Sequence, residues 1–124
     1  MPYSLTWERH GVYRRYSGDV TIAERIESFE AICGDARFDD LRYSITDYLA
    51  VQRYEVSERA TREIAALHIG PAMTNPVLRI AAVAVRPDVL AAIRMFIDTG
   101  FAAQPYQVFP TVELARRWLG APAA

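Results

Sequence analysis

The chain of 124 residues contains no lysine; all 14 of its basic residues are arginine. That absence rules out the phosphate-binding G-x-x-x-x-G-K-[ST] loop, which needs a lysine. The dinucleotide fingerprint G-x-G-x-x-G is missing as well. A formal net charge of −1 and an isoelectric point near 6.1 lack the basic excess of a general nucleic-acid binder, so no nucleic acid is expected as a partner. The one cysteine, Cys33, excludes an internal disulfide framework. His10 and His68, the two histidines, have no Cys or His partner at metal-ligand spacing, so neither a metal nor another cofactor is expected. Ser57 and His68 lie on one helix, where eleven residues put them about 16 Å apart, too far for a serine–histidine dyad. No apolar run reaches the length of a membrane span and no basic start leads into one. The expectation is a cytoplasmic protein with no membrane span.

What is present is strand–helix alternation. Ile80–Val85 is a short continuous apolar run, suited to a strand buried on both faces of a parallel sheet. Pro87 opens a helix running to Gly100. Tyr106–Phe109 reads as a further strand, and Thr111 caps the last helix. Upstream, Tyr3, Leu5 and Trp7 alternate with Ser4, Thr6 and Glu8, the period of a half-buried strand. Glu8-Arg9-His10-Gly11 reads as a turn and Val12–Ser17 as the returning strand. Its adjacent Arg14 and Arg15 put one guanidinium on each face. Thr21 and Glu24 make a capping box for a first helix ending near Gly34. Asp35–Asp40 reads as a polar connection, Leu41–Tyr48 as the third strand and Ala50–Val56 as a loop.

Ser57 caps the second helix, with Ala60, Ile64, Leu67 and Pro71 expected inward and a kink at Pro71. Asn75-Pro76 stops it. Cys33, in step with Ile22, Ile26 and Phe29, is expected in the core. In the last helix, Leu114, Ala115, Trp118 and Leu119 are expected inward and Arg116-Arg117 outward. The fold class is α/β: a single domain over residues 1–120, with a mixed sheet of about five strands (an N-terminal hairpin, then parallel strands) and four helices, then a frayed tail at 121–124.

The helix Pro87–Gly100 is apolar nearly all round, with Asp88, Arg94 and Asp98 as its polar interruptions. Such a helix is buried on more than one side, so it meets the sheet and a neighbouring helix, a second subunit or an apolar ligand. Ligands of parallel sheets gather beyond the carboxyl ends of the strands. There the sequence offers a candidate binding constellation of Asp47, Tyr48, Ser57 and Arg86, in which the N–H groups of the Ser57 helix would hold an anion. The structural alternative is that Ser57 is only a cap and Asp47 pairs with Arg14 or Arg15.

Four stretches carry a family resemblance: GVYRRYSGDVT at Gly11–Thr21, RFDDLRYSITDYLAV at Arg37–Val51, NPVLRIAAVA at Asn75–Ala84 and PYQVFPTVELARRWL at Pro105–Leu119. With the element order, they resemble the STAS domains and, more narrowly, the SpoIIAA-like family of anti-sigma-factor antagonists. The resemblance implies a non-enzymatic regulatory or protein-interaction domain. In the antagonists a serine opening the helix after the third strand is phosphorylated. The position nearest to it here is Ser57, in Glu55-Val56-Ser57-Glu58 where the antagonists carry an Asp-Ser-Ser-Gly-like element.

The leading expectation is therefore a non-catalytic STAS-like module acting through a protein partner or as a homodimer through helix 87–100. The alternative is binding of an apolar small molecule or lipid in a pocket similar to that of the CRAL-TRIO carriers, with Met73, Met95, Phe96, Phe101 and Tyr106 as candidate lining. A catalytic reading rests only on Asp47 as a base and Arg86 as an anion holder.

Overall fold

Tyr3–Glu8 (β1) and Gly11–Val20 (β2) form the N-terminal hairpin in the computed structural model, which describes residues 2–101 and 104–121. Thr21 caps Ile22–Cys33 (α1) with the reciprocal Thr21–Glu24 box. The connection expected at Asp35–Asp40 is a capped 3₁₀ turn over Ala36–Asp40. Then come Tyr43–Tyr54 (β3), Glu58–Leu67 (α2), Ile69–Thr74 (α3), Arg79–Val83 (β4), Pro87–Asp98 (α4), Tyr106–Phe109 (β5) and Val112–Leu119 (α5). The tail expected at 121–124 falls, apart from Ala121, outside the described residues.

The five strands stand in the sheet in their order along the chain, with β1–β2 antiparallel and the other neighbours parallel. Successive right-handed crossovers that step in one direction must all lie on one face. Accordingly α1, α2 and α4 cover the face bearing Tyr16, Tyr48 and Ala82, while α5 folds back over the opposite face onto Tyr43, Ile45, Ala81 and Val83. The second neighbour of the apolar helix α4 is α2.

Two boundaries differ from the sequence reading. β3 runs to Tyr54 through the segment expected to be a loop, because its second half overhangs β4. Beyond Asp47 it pairs only with β2, so Leu49, Gln52 and Arg53 stay exposed and polar residues are tolerated. The second helix is divided at His68. Pro71 has no N–H to give the Leu67 carbonyl, so the kink expected there appears as a break one turn earlier. The break turns Leu67 outward, at 43% exposure, and the inward stripe becomes Ala60, Thr61, Ile64 and Ala65. Thr61 is accommodated because its hydroxyl donates to the Ser57 carbonyl at 2.7 Å.

The α5 face corrects a further expectation: Arg116 points inward and Leu114 outward. Arg116 grips Glu8 at 2.9 and 2.6 Å, with both side chains 10% exposed, and the Tyr43 hydroxyl donates to the same Glu8 carboxylate at 2.5 Å. The Tyr43 ring needs Gly11 beneath it, since a Cβ there would sit 2.0 Å from its Cζ. Hairpin turn, third strand and final helix are thus fastened at one point. The Arg116 bonds hold the Glu8 carboxyl below its usual range against the opposing effect of burial.

Losing one member of a buried pair strands the other charge. Arg116→Met is expected to lower stability by about 3 kcal/mol in urea unfolding. Adding Glu8→Gln should recover part of that loss. Equal and additive losses in the double-mutant cycle would contradict the coupling.

Candidate functional site

On the face covered by three helices, the large side chains of β2 and β3 do not close against α1, α2 and α4. They leave a cavity of about 80 Å³. Its sheet wall carries Arg14, Tyr16, Ser44, Thr46, Tyr48 and Ile80; the helices contribute Arg25, Phe29, Ile93 and Phe96 among others. Arg14, Tyr54 and Tyr106 keep accessible surface although protein surrounds them, since all three border this space.

Arg14 is the unusual member. Its Nε and Nη2 donate to Thr46 Oγ1 at 3.2 and 2.9 Å, its Nη1 donates to Ser28 Oγ at 3.0 Å, and its guanidinium lies 5.0 Å from the Tyr16 ring centre. Ser28 also donates to the Arg25 carbonyl, so the 2.7 Å contact with the Tyr16 hydroxyl has Tyr16 as donor. All these partners are neutral. Among the described residues no carboxylate lies within ion-pair distance of Arg14.

Arg25, 8% exposed, donates to the Glu55 carbonyl at 2.9 Å and stacks 4.4 Å over Tyr54. The Glu55 carboxylate is turned away and accepts from the Ile22 N–H. Two guanidiniums therefore border the cavity without an acidic partner among the described residues.

Five further ionisable groups on its wall, Tyr48, Tyr54, Tyr106, Cys33 and His68, are held neutral by burial. Burial raises Tyr48, Tyr54 and Tyr106. Burial also pushes the Cys33 thiol up to about 11, so it is a poor nucleophile at neutral pH. His68 sits at the α2–α3 break, stacked 4.0 Å from Phe29 and edge-on to Phe96 at 4.8 Å. Its Nδ1 is 2.8 Å from the Ile64 carbonyl, which can only accept, so Nδ1 carries the proton. Burial outweighs that bond and lowers His68 to about 4. No hydrogen bond joins Cys33 and His68 among the described residues.

Of the residues expected at the rim, Tyr48 lines the cavity. Asp47, one residue earlier, faces the α5 side, where it accepts from the Tyr13 hydroxyl and from the Leu49 N–H at 2.9 Å. Its partner is thus Tyr13 and not the expected Arg14 or Arg15; burial and the Asp47 bond raise the Tyr13 phenol. Ser57 is exposed and caps α2, accepting from the Ala60 N–H at 3.0 Å. Arg86 is half-buried at the start of α4 and forks onto Asp88 at 3.0 and 3.1 Å. Among the proposed lining residues, Phe96 and Tyr106 reach the cavity, whereas Met73, Met95 and Phe101 are 79%, 36% and 43% exposed. Sequence reasoning missed Arg14 with Thr46 and Ser28. Its signal was polar residues at inward positions of otherwise apolar elements.

No protein-family model matches the chain, and no curated protein matches it. Solved structures do resemble it. One is described as the anti-sigma factor antagonist SpoIIAA in its unphosphorylated form, at a TM-score of 0.59 and 14% identity over 97% of this chain and 99% of that one. Another is an uncharacterised protein of the DUF3478 family with a SpoIIAA-like fold from Shewanella loihica, at 0.57 and 12%, covering 94% and 91%. The chain therefore has the SpoIIAA-like, STAS-type α/β fold. Among the described residues no helix is long and apolar enough to cross a membrane.

The His68 ring yields a pH signature. A folded value near 4, against the ordinary 6.5 of a solvated imidazole, means that the folded chain prefers the neutral ring. Its stabilisation is complete above pH 6.5 and is lost as pH falls towards 4, by about 3 kcal/mol at most. Chemical denaturation between pH 7 and 4 should show this fall, and His68→Phe should flatten it. An unchanged slope in the variant would remove His68 as its source.

Proposed function

We propose that the chain is a non-catalytic binding module whose site is the cavity between the sheet and helices α1, α2 and α4, and whose ligand is a small molecule with an apolar body. The carrying observation is the lining itself, where aromatic and aliphatic side chains surround a few convergent polar groups, the composition typical of small-molecule pockets. The neutral, backbone-bonded His68 and the protonated Cys33 support binding without chemistry.

Titration of uniformly ¹⁵N-labelled protein with 1-butanol is expected to shift the resonances of Tyr48, Ile93 and Phe96 in a saturable way. Ala92→Leu, which extends a buried side chain into the cavity, should abolish those shifts while keeping the dispersed spectrum. Unmoved cavity resonances in the wild type would overturn this reading.

A second reading, docking of a protein partner or a second copy through helix 87–100, draws support from the exposed apolar side chains of α4. Leu90 and Met95 are 37% and 36% exposed there, whereas Ile93 and Phe96 are core. Any interface belongs to the former pair. Sedimentation should give a dimer that becomes monomeric in Leu90→Glu/Met95→Glu, with little change in melting temperature. A wild-type monomer at high concentration would remove the homodimer.

A further inference from the structure

We propose that the cavity is a carboxylate site: a small monocarboxylic acid binds with its carboxylate on the Arg14 guanidinium and its short apolar body against Phe29, Ile93 and Phe96. This inference rests on the cavity being the binding site and adds the chemistry of the ligand.

Donor accounting points there first. A guanidinium has five N–H groups. Those of Arg14 engage Thr46 twice and Ser28 once, which leaves two for a ligand among the described residues. Ser28 is saturated: its hydroxyl donates to Arg25 and accepts from Arg14 and Tyr16. The Thr46 oxygen takes both of its contacts from Arg14, so its own proton remains available to an acceptor.

Charge points the same way. Arg25 borders the same space with its head fixed on the Glu55 carbonyl and the Tyr54 ring. The nearest acid in sequence to that contact, Glu55, is engaged at the Ile22 N–H. A cation surrounded by protein without a counter-charge is costly, and an anion delivered to it is held strongly in the low local dielectric. The fork geometry of arginine suits the two oxygens of a carboxylate.

Size and surroundings choose among anions. A cavity of about 80 Å³ is roughly half of the about 150 Å³ that takes up benzene in an engineered core, so the body of the ligand is short. The capping residues Thr21, Ser57 and Arg86 are absent from the lining, so the N-termini of α1, α2 and α4 do not supply the cluster of N–H groups typical of phosphate sites, and the six-residue α3 borders the cavity through the His68 ring and Pro71.

The test titrates the full chain at pH 7 and low salt with butyrate, butyramide, 1-butanol and inorganic phosphate, following ¹H–¹⁵N spectra. Butyrate is expected to shift Ser28 and Thr46 and to bind at least tenfold more tightly than butyramide. Arg14→Gln should erase that advantage, and Arg25→Gln, which leaves the Thr46 and Ser28 contacts of Arg14 in place, should reduce it several-fold. Butyramide binding as tightly as butyrate would overturn the carboxylate assignment and leave the cavity reading standing, as would phosphate matching butyrate. If butyrate, butyramide and 1-butanol all leave the cavity resonances unmoved, the cavity reading itself falls.

Discussion

Everything in this structure follows from the strands lying side by side in chain order. Each helical crossover must then land on the same face, because each makes the same right-handed step. Three crossovers, containing α1, α2–α3 and α4, compete for one side of a five-stranded sheet, while α5 has the other side to itself. The two faces acquire different characters. Under α5, small and medium residues such as Ala81, Val83, Ile45 and Ala115 close completely. Under the crossovers, a layer of large rings from Tyr16, Tyr48, Tyr106, Phe29 and Phe96 bridges helices that cannot all approach closely, and a cavity remains between them.

Charge is handled differently on those two faces. On the closed face Arg116 meets Glu8 in a forked pair, with Tyr43 supplying another donor. That arrangement satisfies both ions, so its contribution to folding is fixed once and depends on nothing outside the chain. On the open face Arg14 and Arg25 meet only hydroxyls, a carbonyl and tyrosine rings among the described residues. Hydroxyl and ring partners soften the desolvation of a guanidinium but do not cancel its charge.

Much of the fold was legible because local signals agreed with the global arrangement. The Thr21–Glu24 box, the Ser57 and Thr111 caps and the apolar run at Ile80 each marked a boundary within a few residues. The misreadings share a physical origin. Gln52 and Arg53 looked like a loop because the overhanging end of β3 has no β4 beside it, and strand identity there depends on β2 alone. Arg116 looked solvated because its countercharge stands 108 residues away, beyond any local pattern. The site was harder still. Alternation placed one of Arg14 and Arg15 on each face but could not say which face was hollow, since that depends on how helices splay after folding. Asp47 and Tyr48, adjacent in sequence, fall on opposite faces and cannot share one ligand on either side of the sheet.

The cavity walls are not equally secure. α1 and α4 are anchored by buried residues such as Ile32, Val89 and Phe96, and α2 by Ile64 and Ala65. α3 has no buried residue, lacks the backbone bond that Pro71 cannot make, and exposes Met73. Local opening costs least where few apolar contacts are lost. Displacing α3 therefore uncovers Pro71 and the His68 ring at the edge of the cavity without disturbing Arg14, whose contacts belong to β3 and α1. The polar end of the cavity is thus built from side chains bonded across β2, β3 and α1, while its apolar edge at Pro71 and His68 lies beside the helix with the least buried surface.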